Sequence, residues 1–306
     1  MNWFVISLFS YFLNAVSIII SKIILSDFET VKPAVYAFWI NFFGIVVLFF
    51  LPFNAFLPEA QFVFAALLSG ILNALAILIL YNLLYREEAS QVGPIVGGFT
   101  PIFIFPLAFL FLGEFLFFYQ IIGFLLVVIG GFIASYEISV KKHLWYLNRR
   151  VILWSAVAAL FFAISQVLIK FVFNNNVDFL SGFIWRGIGS LLGAIFILFY
   201  PKYFREIKTS VAVSSGHNIA KMGGIFILSQ VAAFLGYVLI NYAIMLGPVS
   251  LVNSFSGIQY VFLFLMVVFL SKFYPKILKE NLNKELVNQK IVSIFLISIG
   301  IFILFI

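Results

Sequence analysis

Cysteine is absent from the 306 residues. That excludes disulfides, thiolate metal sites and cysteine nucleophiles, and leaves the redox compartment open. Histidine is nearly absent: His143 and His217 both fall in polar connecting stretches. A histidine-based centre inside an apolar run is therefore excluded. Charge is scarce as well, at 9% of residues against 64% hydrophobic, with mean hydropathy +1.19. A soluble chain of this size carries far more charge on its surface, so the composition describes a polytopic membrane protein. Mid-membrane acids are missing too. Glu59, Glu87, Glu88, Glu114, Glu137 and Asp178 all lie at the ends of apolar runs or between them. Proton relays rest on an intramembrane acid, and a cationic substrate calls for a counter-charge. The substrate expected is neutral, zwitterionic or anionic.

What the chain does have is ten apolar segments, at 2–25, 33–52, 60–85, 91–113, 118–137, 150–173, 179–200, 222–246, 248–271 and 289–306. Each is near the ~20 residues that cross a hydrocarbon core. The first segment lacks the basic start and small-residue cleavage site of a signal peptide and is expected to stay as the first crossing. Polar breaks at 138–149, 201–221 and 272–288 are the longest. The first divides the crossings five and five, giving halves 1–137 and 150–306 joined by a linker, 138–149.

The halves carry a weak internal repeat. Lys22 matches Lys170, and Asn41 lies opposite Arg186. At an offset of 159, Asn82 meets Asn241 and Gly98 meets Gly257; at 169, Gln120 meets Gln289 and Gly131 meets Gly300. Five is odd, so the second half must cross the membrane upside down relative to the first. Inverted repeats of this kind characterise secondary transporters, with the site at the repeat interface. Lys and Arg sit almost wholly in odd-numbered loops, which the positive-inside rule places in the cytoplasm, with both termini outside. The net charge of +7 thus reads as a topology signal and lipid contact, not nucleic-acid binding. In the last loop, Tyr274, Ile277, Leu278, Leu282 and Leu286 have the spacing of an amphipathic surface helix; a solvated connector is the alternative.

Residues 85–131 carry a recognisable pattern: Ala89-Ser90 opens the fourth crossing, Pro101 interrupts it, and Leu112-Gly113-Glu114 ends it. Gln120, Gly123 and Gly131 follow in the fifth. This resembles the end of an EamA repeat of the drug/metabolite transporter superfamily. The resemblance implies an all-α membrane protein of ten helices as two inverted five-helix repeats, and a permease or exporter of a prokaryotic cytoplasmic membrane. The second repeat departs from the pattern: Tyr260 stands for the proline, Ser271-Lys272 for the Leu-Gly-Glu ending, and Val292 for the first glycine of the last helix.

Pro101 and Pro106 remove backbone donors and crowd the preceding turn, so the fourth helix is expected to kink or loosen. Gly97 and Gly98 let a neighbour approach. Irregular backbone at membrane depth is tolerated where protein or a wet cavity satisfies it, which suggests a cavity-lining helix; plain packing is the alternative. Polar residues point to the same cavity: Asn14 and Ser17 on the first helix, Asn82 on the third, Thr100 on the fourth and Gln166 on the sixth. Gln230, Tyr237 and Asn241 form a stripe on the eighth, and Asn253, Ser256 and Tyr260 one on the ninth. Helix–helix hydrogen bonding is the competing role for each. Arg186 is a candidate substrate contact, with pairing or snorkelling as the commoner fate; Lys22 and Lys170 are expected to snorkel.

The function expected is transport of a small metabolite by alternating access. A lipid or lipid-linked sugar flippase is the alternative, which a greasy lateral opening would favour. A membrane-embedded enzyme is a remote third, because no acid pair, Ser/His set or metal cluster stands out. No cofactor and no metal are expected. The partners expected are the small-molecule substrate and membrane lipid, with a homodimer compatible.

Overall fold

In the computed structural model, the described residues are 2–26, 33–52, 57–86, 89–135, 149–213, 219–273 and 284–304. The helices are α1 (Asn2–Ser26), α2 (Pro33–Phe42), α3 (Ala60–Arg86), α4 (Ala89–Leu112), α5 (Phe118–Ser135), α6 (Arg149–Asn174), α7 (Phe179–Leu198), α8 (Pro201–Val213), α9 (Ile219–Leu246), α10 (Val249–Ser254), α11 (Ser256–Phe273) and α12 (Lys284–Leu304). Among the described residues there are no strands, and nine stretches are long and apolar enough to cross a membrane. A tenth apolar helix, Phe118–Ala134, is shorter.

Turns follow local chemistry. Gly113 ends α4 at φ +65°, a left-handed conformation that only glycine reaches without strain, and Glu114 N–H returns to Ala108 O at 3.2 Å. Asn176 takes φ +60° between α6 and α7, a conformation Asn tolerates. Asp178 then caps α7, accepting from Ser181 N–H at 2.9 Å.

Small residues set how closely the helices pack. A Cβ on Gly70 would lie 2.1 Å from Arg186 O, and one on Gly189 2.2 Å from Leu67 O, so α3 and α7 touch backbone to backbone. Gly131 and Gly257 bring α5 and α11 together in the same way. Two serine pairs bind helices from opposite halves. Ser69 and Ser165 exchange hydroxyl bonds to each other's carbonyl at 2.8 Å, joining α3 to α6. Ser17 and Ser229 join α1 to α9, with hydroxyls 3.2 Å apart and Ser229 donating to Ser17 O at 3.1 Å. Ser17 and Ser165 are 148 positions apart, as are Lys22 and Lys170; Ser69 and Ser229 are 160 apart, one off the frame that relates Asn82 to Asn241.

Three expectations need correcting. Irregularity was expected in the fourth crossing around Pro101 and Pro106, but α4 is continuous from Ala89 to Leu112. The breaks lie elsewhere. The second crossing tightens into a 3₁₀ helix over Phe43–Phe50, and the ninth is interrupted at Phe255 between α10 and α11. A proline removes one donor, which a membrane helix absorbs when its neighbours pack it, so composition misplaced the loose backbone. The stretch 201–221 is not only a polar connector: α8 turns Ile207 inward, where Ile207 is buried with Val35, Ala37 and Ile197. Lys170 does not snorkel. It is buried and donates to Ile244 O at 2.9 Å and Met245 O at 3.2 Å, satisfying carbonyls at the end of α9. The amphipathic stretch at 274–286 and Lys22 lie outside the described residues or side chains.

Candidate functional site

A cavity of about 380 Å³ lies between α1, the second crossing, α3, α7 and α9, lined by residues midway along these helices. Its polar groups are Asn14, Asn41, Asn73, Ser190, Gln230 and Tyr237; the remaining walls are largely Ile, Val, Leu and Phe. Val46, Ile227, Val231 and Leu235 line it and are also exposed. Its mouth is therefore rimmed by apolar side chains at membrane depth. The helix packing explains the opening: α7 is closed tightly on α3, whereas no packing of comparable extent joins the second crossing to α9 among the described residues.

Asparagines on several of the helices share a common device. The amides of Asn41, Asn82, Asn241 and Asn253 donate to the carbonyl four residues earlier, at 2.7 to 3.0 Å. That leaves each side-chain oxygen to look outward from the helix. Asn41 Oδ1 accepts from Ser190 Oγ at 2.8 Å, tying the second crossing to α7 beside the cavity.

Arg186 is the anomaly. It has no exposed surface. Its guanidinium donates to Ser165 Oγ at 3.1 Å, to Gln166 Oε1 at 3.4 Å and to Asn241 Oδ1, and lies 5.3 Å from the Tyr237 ring centroid. Those partners are all neutral, and Arg186 Nε has none. The pairing or snorkelling expected of Arg186 is replaced by burial against neutral groups.

The sequence candidates do not fall in one place. Asn14, Gln230 and Tyr237 line the main cavity. Arg186, Gln166 and Asn241 form the network behind Tyr237. Gly97, Pro101, Ser256 and Tyr260 gather at a void of about 10 Å³ beside the α10–α11 break, room for roughly one water. Asn253 is buried on α10. Ser17, Asn82 and Thr100 lie apart from the cavity wall: Ser17 holds α9, and Asn82 and Thr100 back-bond to Leu78 O and Val96 O. Gly98 sits against Phe132, 2.8 Å from where its Cβ would stand; no contact singles out Pro106. Ser190 was not anticipated, and Asn41 was noted only as Arg186's counterpart. An amide inside FWINFFG was the available signal for Asn41.

A bundle of apolar helices around a cavity midway along them is the architecture of a membrane transport protein. Residues 1–136 match the EamA-like transporter family. A solved crystal structure, described only as that of a protein, shares the fold at a TM-score of 0.70 and 14% identity, over 99% of this chain and 96% of that one. No curated protein matches the chain in sequence.

Proposed function

We propose that the chain is a secondary transporter that moves a small metabolite by alternating access through the cavity between α1, the second crossing, α3, α7 and α9. In this reading, residues 1–137 and 150–306 are two inverted five-helix repeats joined by 138–149, in the cytoplasmic membrane of a prokaryote with both termini outside. The two serine pairs support it, because Ser17 and Ser165 share the offset of Lys22 and Lys170, and Ser69 and Ser229 fall within one residue of the offset of Asn82 and Asn241. The observation that carries it is an asymmetry between equivalent interfaces. If the halves match, α3 against α7 corresponds to α9 against the second crossing. One is closed by glycine contacts and the other is open on the cavity. A protein with two equivalent gates, one shut and one ajar, has the parts for alternation.

A lipid or lipid-linked sugar flippase is the second reading. The apolar, laterally placed mouth favours it, since a chain-bearing substrate could keep its tail in the bilayer.

The natural absence of cysteine makes the test direct. Gln230→Cys places one thiol in the cavity. In right-side-out and in inverted vesicles, a membrane-impermeant maleimide is expected to reach it from both faces. Reaction from one face alone would replace the transporter by a static pocket.

A further inference from the structure

Resting on that transporter reading, we propose that the substrate is an amphiphilic anion, with a carboxylate or phosphate head on an apolar body, and that its charge is balanced by Arg186. A guanidinium buried without a counterion is among the least favourable arrangements a protein can hold. Hydrogen bonds donated to the neutral oxygens of Ser165, Gln166 and Asn241 offset part of it, and Nε is left with no acceptor. Among the described residues, no acid is placed to complete the pair. Glu114 and Asp178 are engaged at helix starts, Glu59 is bonded by Gln61, and no Asp or Glu falls in the middle of any crossing. A positive charge kept at such cost, with one donor idle, suits a ligand that supplies the missing anion.

The route to that ligand is short. Tyr237 belongs to both places: it lines the cavity and its ring carries the guanidinium. A turn of this one side chain would exchange a cation–π contact for an ion pair. The counterpart of Arg186 in the first half is Asn41, so the charge is single and the site takes one anionic group. The apolar walls and lateral mouth select a body that is not itself strongly hydrated. Such a headgroup could arrive on a free metabolite or on a lipid, and the test separates the two.

Purified protein in neutral detergent would be melted with matched probes: benzoate against benzamide, and phenyl phosphate against phenol. In parallel, it would be melted in phosphatidylcholine nanodiscs with and without phosphatidylglycerol. The anion of each pair is expected to stabilise, binding at least roughly tenfold more tightly than its neutral partner. Arg186→Gln is expected to remove that preference, and Arg186→Lys, which keeps the charge, to retain it; a merely structural Arg186 would leave the preference unmoved in any variant that folds. Arg186-dependent stabilisation by phosphatidylglycerol alone supports the anion and assigns it to a lipid. Equal binding of benzoate and benzamide overturns the anion while leaving a cavity-binding transporter in place. If no probe and no lipid binds, the proposal is overturned, and the Gln230→Cys labelling still decides transport by itself.

Discussion

At the scale of single residues, the glycines divide by what surrounds them. Gly70 has no room, since its Cβ would meet Arg186 O at 2.1 Å and Ser190 N at 2.5 Å, both backbone atoms. Gly113 has unlimited room but a left-handed φ of +65°. Gly70→Ala must push α7 away from α3, an overpacking cost of ~1–3 kcal/mol. Gly113→Ala meets only backbone strain, ~1–2 kcal/mol. Thermal melting should show both destabilised, but only Gly70→Ala should disturb the cavity, read as altered labelling at Gln230→Cys. Equal cavity effects would mean that the α3–α7 contact does not shape the site. Single polar residues were only half legible in the sequence. Tyr237, Gln230 and Asn14 were found because a polar group in an apolar run needs a partner or a cavity. The same rule could not tell Asn14 from Ser17, because it does not say whether the partner is another helix or open space. Asn82 and Thr100 resolved the question locally, each bonding its own helix. Lys170 was misjudged because the carbonyl ends of α9, which hold it, belong to a helix over 70 residues away.

At the scale of elements, the second and ninth crossings matter most, and both are interrupted. Crossing two becomes 3₁₀ at the cavity wall, a form uncommon over long runs and frequent at hinges. Crossing nine starts with α10, whose first N–H groups are held by Glu114, and restarts at α11 after Phe255. Glu114 accepts from Val249 N–H at 2.9 Å, Ser250 N–H at 3.3 Å and Ser250 Oγ at 3.0 Å. The glutamate of the Leu-Gly-Glu ending thus works as a cap supplied by a different helix, with its charge at the positive end of α10. Glu114→Ala should lower stability by ~0.5–2 kcal/mol, measured by thermal melting, and Glu114→Gln by less, since one acceptor oxygen remains. An unchanged melting temperature for Glu114→Ala would remove the cap from the account. That the chain is a bundle of long apolar helices was legible, because runs of about twenty apolar residues between polar breaks leave little choice; nine such stretches stand among the described residues. The interruptions were not. They depend on which neighbour satisfies the freed backbone groups, and proline content points only to where groups are freed. The α8 helix was missed because 201–221 was judged by its charge and not by the spacing of Tyr203, Phe204 and Ile207.

At the scale of the whole molecule, two serine pairs join the first half of the chain to the second. The offsets for Lys22/Lys170 and Asn82/Asn241 were visible, but the serines that meet across the halves were not among the matches noted. Each pair joins helices over 90 residues apart, so no local pattern marks it. Ser pairs of this kind contribute little each, ~0.6 kcal/mol on average; their value is in fixing register between the helices they join. The polar lining of the cavity comes from both halves, Asn14, Asn41 and Asn73 from one and Ser190, Gln230 and Tyr237 from the other. The central claim is that the α3–α7 contact and the gap between the second crossing and α9 are two gates whose states oppose each other. Double electron–electron resonance between spin labels at Val46→Cys and Leu235→Cys measures the open gate in a chain with no native cysteine. Adding Gly189→Val, which wedges α3 from α7, should shorten the Val46–Leu235 distance; an unchanged or longer distance would contradict the coupling of the two gates.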